Sequence, residues 1–185
     1  MKKREAQVRR SEVVFRGRLF RVRRDLVEEP ALRGEPAGPP VMREIIEHAG
    51  SVVVLPVLAD GRVLLVRQYR YAARDSLWEL VAGGIGRGEK PLQAARRELK
   101  EETGYQARRF ERLLSFFPSP GILTEVMHLF RATGLRPGRA EPEADEALEM
   151  RAFSRRQLER MLKRGSLRDA KTVLGVLLEL RRKTS

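Results

Sequence analysis

The hydrophobic and polar positions along the chain alternate mainly with the two-residue period of β-strands. Between residues 11 and 25, the apolar side chains of Val13, Phe15, Leu19 and Val22 predict two short strands around a turn at residues 16–18. Further strands are predicted at residues 42–47, 51–58, 62–67, 77–81, 113–117, 125–132 and 148–153. The turn at residues 59–61 ends in glycine, which predicts a hairpin between the strands on either side of it.

Helical patterns are fewer, and three of them stand out. Residues 91–103 run from Pro91, which suits a first helical turn, to Gly104, which suits the position after a helix end. Ser154 and Gln157 form a capping box that opens a helix ending near Arg164. Residues 169–182 carry a wide apolar stripe that predicts packing on a sheet or on a second subunit. The stripe consists of Val173, Leu174, Leu177, Leu178 and Leu180.

Many strands with a few helices, in no regular βαβ alternation, predict a mixed α+β sandwich. Residues 30–40 hold four prolines and two glycines and therefore predict a loop. This loop separates an amino-terminal strand extension, residues 1–45, from the main domain, residues 46–185.

Length and composition limit the class of protein. A chain of 185 residues with 42% hydrophobic residues is the size of one domain with a small appendage. The chain contains no cysteine, which excludes disulfides, cysteine-ligated iron–sulfur clusters and thiolate zinc sites. The longest apolar stretch, residues 51–59, is about half the roughly 20 residues of a membrane span, and no signal peptide is recognisable. We expect a cytoplasmic protein without membrane association.

The net charge of +13 raises the question of a polyanionic partner. The excess is concentrated at the two ends, because residues 1–24 and 151–185 each carry +8 while the middle of the chain sums to −3. Aromatic residues make up only 6% and do not alternate with the basic residues, as they do in proteins that bind single-stranded nucleic acid. We therefore interpret the charge as a solvated surface and do not expect a nucleic-acid partner.

One helix carries a cluster of acidic residues. Glu98, Glu101 and Glu102 are spaced i, i+3 and i+4, which places them on one helical face. A separate buried stripe is predicted for Leu92, Ala95 and Leu99. Like charges at this spacing destabilise a helix by a few tenths of a kcal/mol per pair. Clustered carboxylates without cysteine or histidine suit a hard cation such as Mg²⁺ or Mn²⁺. The alternative is a solvated acidic face balanced by the neighbouring Arg96, Arg97 and Lys100.

A glycine-rich segment precedes this helix. Gly83, Gly84, Gly86 and Gly88 lie within six residues. A flexible loop that runs into a helix amino terminus is a common place to hold phosphate, and Gly84 is our candidate for a substrate contact in it. The alternative for the loop alone is an ordinary turn, so the combination of loop and acidic helix is the more specific signal.

Together these residues resemble the Nudix box, G-x5-E-x7-R-E-U-x-E-E-x-G-U, in which U is aliphatic. Gly83, Glu89 and residues 97–104 match every fixed position, and only Tyr105 departs mildly, at the last U. The resemblance to Nudix hydrolases implies a mixed-sheet α/β/α sandwich in which the box forms a loop–helix–loop that binds divalent metal. The reaction it implies is hydrolysis of a diphosphate linked to another moiety.

The resemblance assigns roles to the residues of the box. Glu98 and Glu102 become the principal metal ligands, with Glu101 close to them. Glu89 becomes a further ligand or an acid just outside the coordination sphere. Arg97 is expected to orient the carboxylates by a bidentate pair rather than to touch substrate. The two framing glycines, Gly83 and Gly104, are expected to be structural.

Three flanking stretches resemble the ADP-ribose pyrophosphatase branch of the family. Pro120 stands sixteen residues after Gly104 within a Ser-Pro-Gly…Glu stretch, although an ordinary Pro-Gly turn would look the same. Residues 68–70 and 78–83 also match, except that the branch more often has proline where Val81 stands. This likeness implies that the Ala82 carbonyl is a metal ligand and that Arg70 contacts substrate. Residues 165–172 resemble ADP-sugar hydrolases; the alternative there is a capped helix.

An acid-rich stretch at residues 141–149 supplies the candidate general base. The branch places a catalytic glutamate in this loop, and Glu146 occupies the matching position, although Glu143, Asp145 and Glu149 are close enough to be alternatives. The resemblance also implies a homodimer in which residues 10–45 reach over the partner and help to hold the adenine. His48 and His128 have no metal-like spacing, so we expect structural roles for both.

The expected reaction is therefore Mg²⁺-dependent hydrolysis of ADP-ribose, or of a related ADP-sugar, to AMP and a sugar phosphate. The alternatives within the family are another nucleoside diphosphate sugar, a dinucleotide or a dinucleoside polyphosphate. A different alternative is a non-enzymatic RNA-binding protein on the same scaffold, but the intact carboxylates of the box argue against it.

Overall fold

A computed structural model of the protein describes residues 5–31, 38–139 and 149–182. These described residues form ten strands and three helices. The strands are β1 (Gln7–Arg16), β2 (Arg21–Glu28), β3 (Val41–Glu47), β4 (Ser51–Pro56), β5 (Val63–Arg70), β6 (Asp75–Glu79), β7 (Val81–Gly84), β8 (Gln106–Phe116), β9 (Met127–Arg136) and β10 (Glu149–Phe153). The helices are α1 (Pro91–Thr103), α2 (Arg155–Lys163) and α3 (Ala170–Arg181). None of these helices is long and apolar enough to cross a bilayer.

The chain divides into two compact units. The first comprises Met1–Ala49 and Ser119–Glu125. It contains the antiparallel sheet β1-β2-β3, in which the predicted amino-terminal strands are confirmed but are longer than expected. The segment 119–125 adds to β3 through two backbone hydrogen bonds, from the Ile46 amide to the Ile122 carbonyl and from the Thr124 amide to the Ile46 carbonyl. The division into domains at residues 45 and 46 stays a prediction.

The second unit comprises Gly50–Pro118 and Val126–Ser185, and it contains two sheets. Their strand orders are β7-β4-β9-β8, with β4 and β9 parallel, and β10-β5-β6. All six residues of β4 are buried, which is why this strand reads as a continuous apolar run. Alternate β4 side chains point to opposite faces, so Val52 and Val54 pack with α1 while Val53 and Leu55 pack with α2 and α3. The expected α/β/α sandwich is confirmed.

Two predictions of strand pairing were incomplete. The turn at residues 59–61 is present, with Gly61 at φ 80° and an antiparallel bridge between Val57 and Val63. Beyond that bridge β4 and β5 enter different sheets, because β4 is already flanked by β7 and β9. Similarly, the strand predicted at residues 77–81 is the end of β6 and the start of β7, which also belong to different sheets.

The helices match their predicted boundaries, but two buried stripes were partly wrong. Helix α1 covers the predicted residues 91–103, and Gly104 ends it in the left-handed conformation at φ 72°. Leu92, however, is 36% exposed, and Ala94 is buried in its place. On α3, Leu177 is exposed and Val176 is buried. The reason lies one residue earlier, since a Cβ at Gly175 would stand 2.4 Å from Leu80 Cδ1, so this turn makes the closest approach to the core.

Candidate active site

Helix α1 brings two glutamates of the box against strand β7. A Cβ added to Gly83 would lie 2.0 Å from Glu98 Oε1, so the Glu98 carboxylate rests directly on the glycine backbone. One helical turn later, Glu102 is only 6% exposed, and its Oε1 accepts a hydrogen bond from the Ala82 amide at 3.3 Å. The two carboxylates therefore face the same short segment, Ala82 and Gly83, as their i, i+4 spacing requires.

Arg97 donates hydrogen bonds to Glu98 and to the two other glutamates of the box, Glu89 and Glu101. Its Nη1 donates to Glu98 Oε1 at 2.7 Å and to Glu101 Oε2 at 2.9 Å. Its Nε and Nη2 donate to the two carboxylate oxygens of Glu89 at 3.0 and 3.1 Å, and Nη2 also donates to the Gly84 carbonyl at 2.9 Å. Arg97 therefore contacts Glu89, Glu98 and Glu101, with a bidentate pair to Glu89, as the sequence predicts, and its role in orienting metal ligands stays a prediction.

These contacts shift the ionisation of both partners toward the charged forms. The hydrogen bond with Glu89 contributes most to raising the pKa of Arg97, against the opposing effect of burial. The reciprocal bond from Arg97 lowers the pKa of Glu89, and a hydrogen bond from the Gly86 amide to Glu89 Oε2 at 2.8 Å lowers it further. The glycine loop therefore wraps around the Glu89 carboxylate before the helix begins.

The donor set of this cluster suits a hard divalent cation. Glu89, Glu98, Glu101 and Glu102 offer only carboxylate oxygens, which are the ligands that Mg²⁺ and Mn²⁺ prefer. Among the described residues no three acidic, histidine or cysteine side chains already form a metal-binding group. Arg97 lies between Glu89, Glu98 and Glu101 and pairs with all three. A cation bound between Glu98 and Glu102 would have to compete with this guanidinium for Glu98.

A second charged group, which the sequence analysis missed, lies in the same unit. Glu79 is 1% exposed and receives a bidentate pair from Arg70, with Nε to Oε1 and Nη2 to Oε2 both at 2.8 Å. Lys171 Nζ donates to the same Oε2 at 2.6 Å. Burial tends to raise the pKa of Glu79, but the hydrogen bonds and charges of Arg70 and Lys171 outweigh it and lower the pKa. The sequence does contain one indication of this buried acid, because Glu79 stands between the apolar residues Trp78 and Leu80 in a predicted strand.

The segment at residues 165–172 forms a capped helix start that joins this group. Asp169 is the N-cap of α3, and its Oδ2 accepts from the Thr172 amide at 3.0 Å. The Thr172 hydroxyl accepts from the buried Leu80 amide at 2.8 Å and donates to Asp169. Lys171 lies 2.9 Å from Asp169 Oδ1 as well as against Glu79. The helix start is thereby tied to the backbone that leads into β7.

Several other residues named in the sequence analysis bind different groups or lie outside the described residues. Glu146 and its alternatives Glu143 and Asp145 are outside them, while Glu149 begins β10 with its carboxylate 3.6 Å from Arg67. His48 Nδ1 stands 3.4 Å from Glu125. His128 Nδ1 stands 2.7 Å from the Ser115 hydroxyl. Burial, followed by the positive charge of Arg112, lowers the pKa of His128.

The glycine loop, helix α1 and Arg97 thus gather carboxylate oxygens, the donors that a divalent cation prefers, on one side of an α/β/α sandwich. The family model of the NUDIX domain matches residues 47–174, which is more than half of the chain. The protein therefore belongs to the Nudix family of pyrophosphohydrolases.

Individual relatives cover nearly the whole chain. It is 34% identical over 174 residues to the methanol dehydrogenase activator of Bacillus methanolicus, covering 93% of this chain and 91% of that protein. It is 33% identical over 179 residues to the ADP-ribose pyrophosphatase of Bacillus subtilis (strain 168), covering 95% and 93% of the two chains. Among solved structures, an ADP compounds hydrolase superposes with a TM-score of 0.80 over 96% of this chain and 94% of its own, at 24% identity, which supports the shared fold.

Proposed function

We propose that the protein hydrolyses the diphosphate of ADP-ribose, or of a closely related ADP-sugar, to AMP and a sugar phosphate, with Mg²⁺ as cofactor and Mn²⁺ as a possible substitute. The observation that carries this proposal is the placement of Glu98 and Glu102 against Ala82 and Gly83, with Arg97 binding Glu89, Glu98 and Glu101. The relative from Bacillus subtilis named ADP-ribose pyrophosphatase supports the choice of substrate.

Glu98, Glu102 and the Ala82 carbonyl would hold the cation, with Glu101 and Glu89 close to it. A bound divalent cation neutralises diphosphate charge and makes water more acidic. Arg97 keeps the acidic side chains in fixed positions, which matters because phosphoryl transfer depends mainly on positioning and charge stabilisation. Gly84, which has nothing within 4 Å of where a Cβ would stand, leaves room for a substrate oxygen close to the backbone.

Two further residues complete the proposed reaction. Glu146 would accept the proton of the attacking water, a contribution of roughly 10²–10⁴-fold to the rate. Arg70 would contact the diphosphate. Its side chain is 40% exposed, and its Nε and Nη2 are already fixed on Glu79, which holds the guanidinium plane in one orientation.

The first experiment is a Mg²⁺-dependent hydrolysis panel over ADP-ribose, ADP-glucose, GDP-mannose, NADH, diadenosine polyphosphates and capped RNA. We expect the highest kcat/KM for ADP-ribose or another ADP-sugar. A preference for a guanine nucleotide sugar, a dinucleotide or a dinucleoside polyphosphate would replace the substrate but keep the site. No hydrolysis of any compound, together with salt-sensitive RNA binding, would favour the non-enzymatic alternative.

The second experiment tests the residues. Glu98→Gln and Glu102→Gln should each lower kcat severely while the protein remains folded, because each loses a carboxylate that faces the Ala82–Gly83 segment. Glu146→Gln should lower kcat with nearly unchanged metal affinity. Glu159→Gln is the matched control, since this glutamate has a side chain 44% exposed on α2 and pairs only with Arg155 in the described residues. Full activity of Glu98→Gln or Glu102→Gln would contradict the proposal.

We also propose a cytoplasmic homodimer, in which residues 1–45 form an extension that reaches the partner and its substrate. The first unit exposes Val8, Val13, Val14, Phe15 and Leu19 at 36–73%, and a dimer interface would cover apolar area of this kind. Sedimentation equilibrium should give twice the 21.2 kDa of one chain at micromolar concentration. A monomer under these conditions would contradict this part of the proposal.

A further inference from the structure

A continuous set of polar contacts connects the start of helix α3 to Arg70. We call Arg70, Glu79, Asp169, Lys171 and Thr172 the Glu79 network. Asp169 binds Lys171, Lys171 binds Glu79, and Glu79 binds Arg70 through both of its oxygens. Thr172 closes the set, because its hydroxyl bonds both Asp169 and the Leu80 amide, one residue after Glu79.

Stability alone is a poor explanation for this network. Glu79 is 1% exposed and the Lys171 side chain 11% exposed, so their charges have been taken almost completely out of water. The desolvation cost of such buried ions often exceeds their attraction, and apolar residues of the same size are frequently as stabilising or more so. Arg70 and Lys171 both donate to the Glu79 carboxylate, and these directed bonds fix the orientation of the side chains more than they contribute to packing.

The group whose orientation is fixed is Arg70. Its Nε and Nη2 are held by Glu79, and its Nη1 has no partner among the described residues. The hydrogen bonds to Glu79 raise the pKa of Arg70 against the opposing effect of burial, and the charges of Glu102 and Asp169 add to this. Glu79 is the last residue of β6 and stands three residues before Ala82 in β7, so the same carboxylate also anchors the chain just before the proposed metal ligand.

We infer that Lys171, Asp169 and Glu79 are positioning residues that hold the Arg70 guanidinium, with its free Nη1, toward the diphosphate of the substrate. This inference rests on the proposed function, since it assigns a task to Arg70 in that reaction. Without Lys171, Glu79 would lose one of its donors while remaining buried. Arg70 would then be drawn further onto Glu79, and Nη1 would leave the position from which it donates.

A double-mutant cycle tests the inference. Arg70→Met and Lys171→Met should each raise KM about tenfold, the effect expected when one charge-assisted hydrogen bond to a ligand is lost. The change in kcat should be smaller than that in KM, because a contact made equally in the ground state and the transition state affects binding alone. If Lys171 acts through Arg70, the double variant should be no worse than Arg70→Met. Lys171→Arg keeps the charge and should restore most of the affinity.

Arg168→Met is the matched control. Arg168 lies three residues before Lys171 and carries the same charge, but it pairs with Asp75 at the surface, outside the network. It should leave KM unchanged. Thermal denaturation establishes that each variant is folded at the assay temperature. A merely structural role of Lys171 would lower the melting temperature without coupling to Arg70, and this result would distinguish it from the positioning role.

The same cycle is measured with inorganic pyrophosphate and Mg²⁺ by calorimetry, which needs no hydrolysis. If the wild-type protein fails to hydrolyse ADP-ribose but the pyrophosphate Kd shows the coupling, the proposed substrate is wrong and the positioning role stands. The inference is overturned if Lys171→Met binds pyrophosphate like the wild type, if its effect multiplies with that of Arg70→Met, or if the wild-type protein does not bind pyrophosphate.

Discussion

Replacement of Gly83 by alanine is the most direct test of the site, because it adds one carbon atom at the point where the Glu98 carboxylate rests. The new Cβ would stand 2.0 Å from Oε1, 2.1 Å from Cδ and 2.4 Å from Oε2 of Glu98. Ordinary contacts begin at 3.4 Å, so the carboxylate must move by about 1.4 Å. That displacement also breaks the 2.7 Å bond from Arg97 to Glu98.

The cost should appear in catalysis and not in stability. Gly83 is not among the glycines with positive φ, so alanine fits the backbone there. By reducing the conformational entropy of the unfolded chain, alanine should stabilise the folded protein by about 0.4–1 kcal/mol. The clash involves the end of a flexible side chain, which can rotate away. A misplacement of about 1 Å in a catalytic arrangement costs roughly 10²-fold in rate. We therefore expect kcat to fall about a hundredfold with a melting temperature close to that of the wild type.

The assay is ADP-ribose hydrolysis over a range of Mg²⁺ concentrations, combined with thermal denaturation. The half-saturating Mg²⁺ concentration of Gly83→Ala should rise by about tenfold or more, since groups that orient metal ligands affect metal affinity to this degree. Gly84→Ala is the control for the metal site alone, because its Cβ meets no protein atom within 4 Å: the Mg²⁺ dependence should be unchanged, whereas KM should rise because the methyl group takes the space proposed for a substrate oxygen. Wild-type kcat and Mg²⁺ dependence in Gly83→Ala would refute the role given to Glu98.

Three further predictions concern the surroundings of the site. Arg97→Met removes the guanidinium that competes with a cation for Glu98, so Mg²⁺ should raise its melting temperature more than that of the wild type. Its kcat should nevertheless fall, because Glu89, Glu98 and Glu101 lose the group that holds them in place. Arg96→Met, at the neighbouring exposed position, should behave like the wild type, and equal shifts of the melting temperature in Arg97→Met would contradict the competition. Thr172→Val leaves the buried Leu80 amide without its acceptor and should lower the free energy of unfolding by about 1–3 kcal/mol in urea denaturation, and a loss below about 0.5 kcal/mol would be too small for this account. Burial and Arg112 lower the pKa of His128 below its ordinary 6.5, so the unfolded chain binds the proton more readily than the folded chain, and the free energy of unfolding should fall as the pH drops through and below that value. His128→Gln should lose less stability than the wild type between pH 7.5 and 5.5. Parallel plots of stability against pH for the two proteins would exclude the effect.

The sequence predicts best those features that depend on neighbouring residues. Contacts within one loop or one helical turn are indicated by spacing alone. They include the helix that begins at Pro91 and ends before Gly104, the capping box of Ser154, and the contact of Arg97 with Glu101. The match to the Nudix box adds the longer contact between Glu89 and Arg97, which needs the glycine loop to fold back.

Features that depend on distant pairing were not predictable in the same way. Lys171 is 92 residues from Glu79, and nothing in the pattern of either segment indicates the other. The separation of β4 and β5 follows from their pairing with β9 and β10, which lie far along the chain. The approach of α3 to Leu80 through Gly175 likewise requires the packed structure, because a helical apolar stripe predicts a buried face but not the point of closest contact.

The distribution of charge explains why the site needs a cation although the chain as a whole is basic. Glu89, Glu98 and Glu101 surround one guanidinium, that of Arg97, and Glu102 adds a further carboxylate at the Ala82 amide, whereas the chain carries a net charge of +13. A diphosphate is itself an anion, and like charges brought within a few ångströms repel strongly in a partly buried environment. Arg97 offsets only part of the negative charge, and Arg70 and Lys171 are already balanced by Glu79 and Asp169. Substrate binding should therefore depend steeply on a divalent cation, and Arg97 has to release part of Glu98 to it.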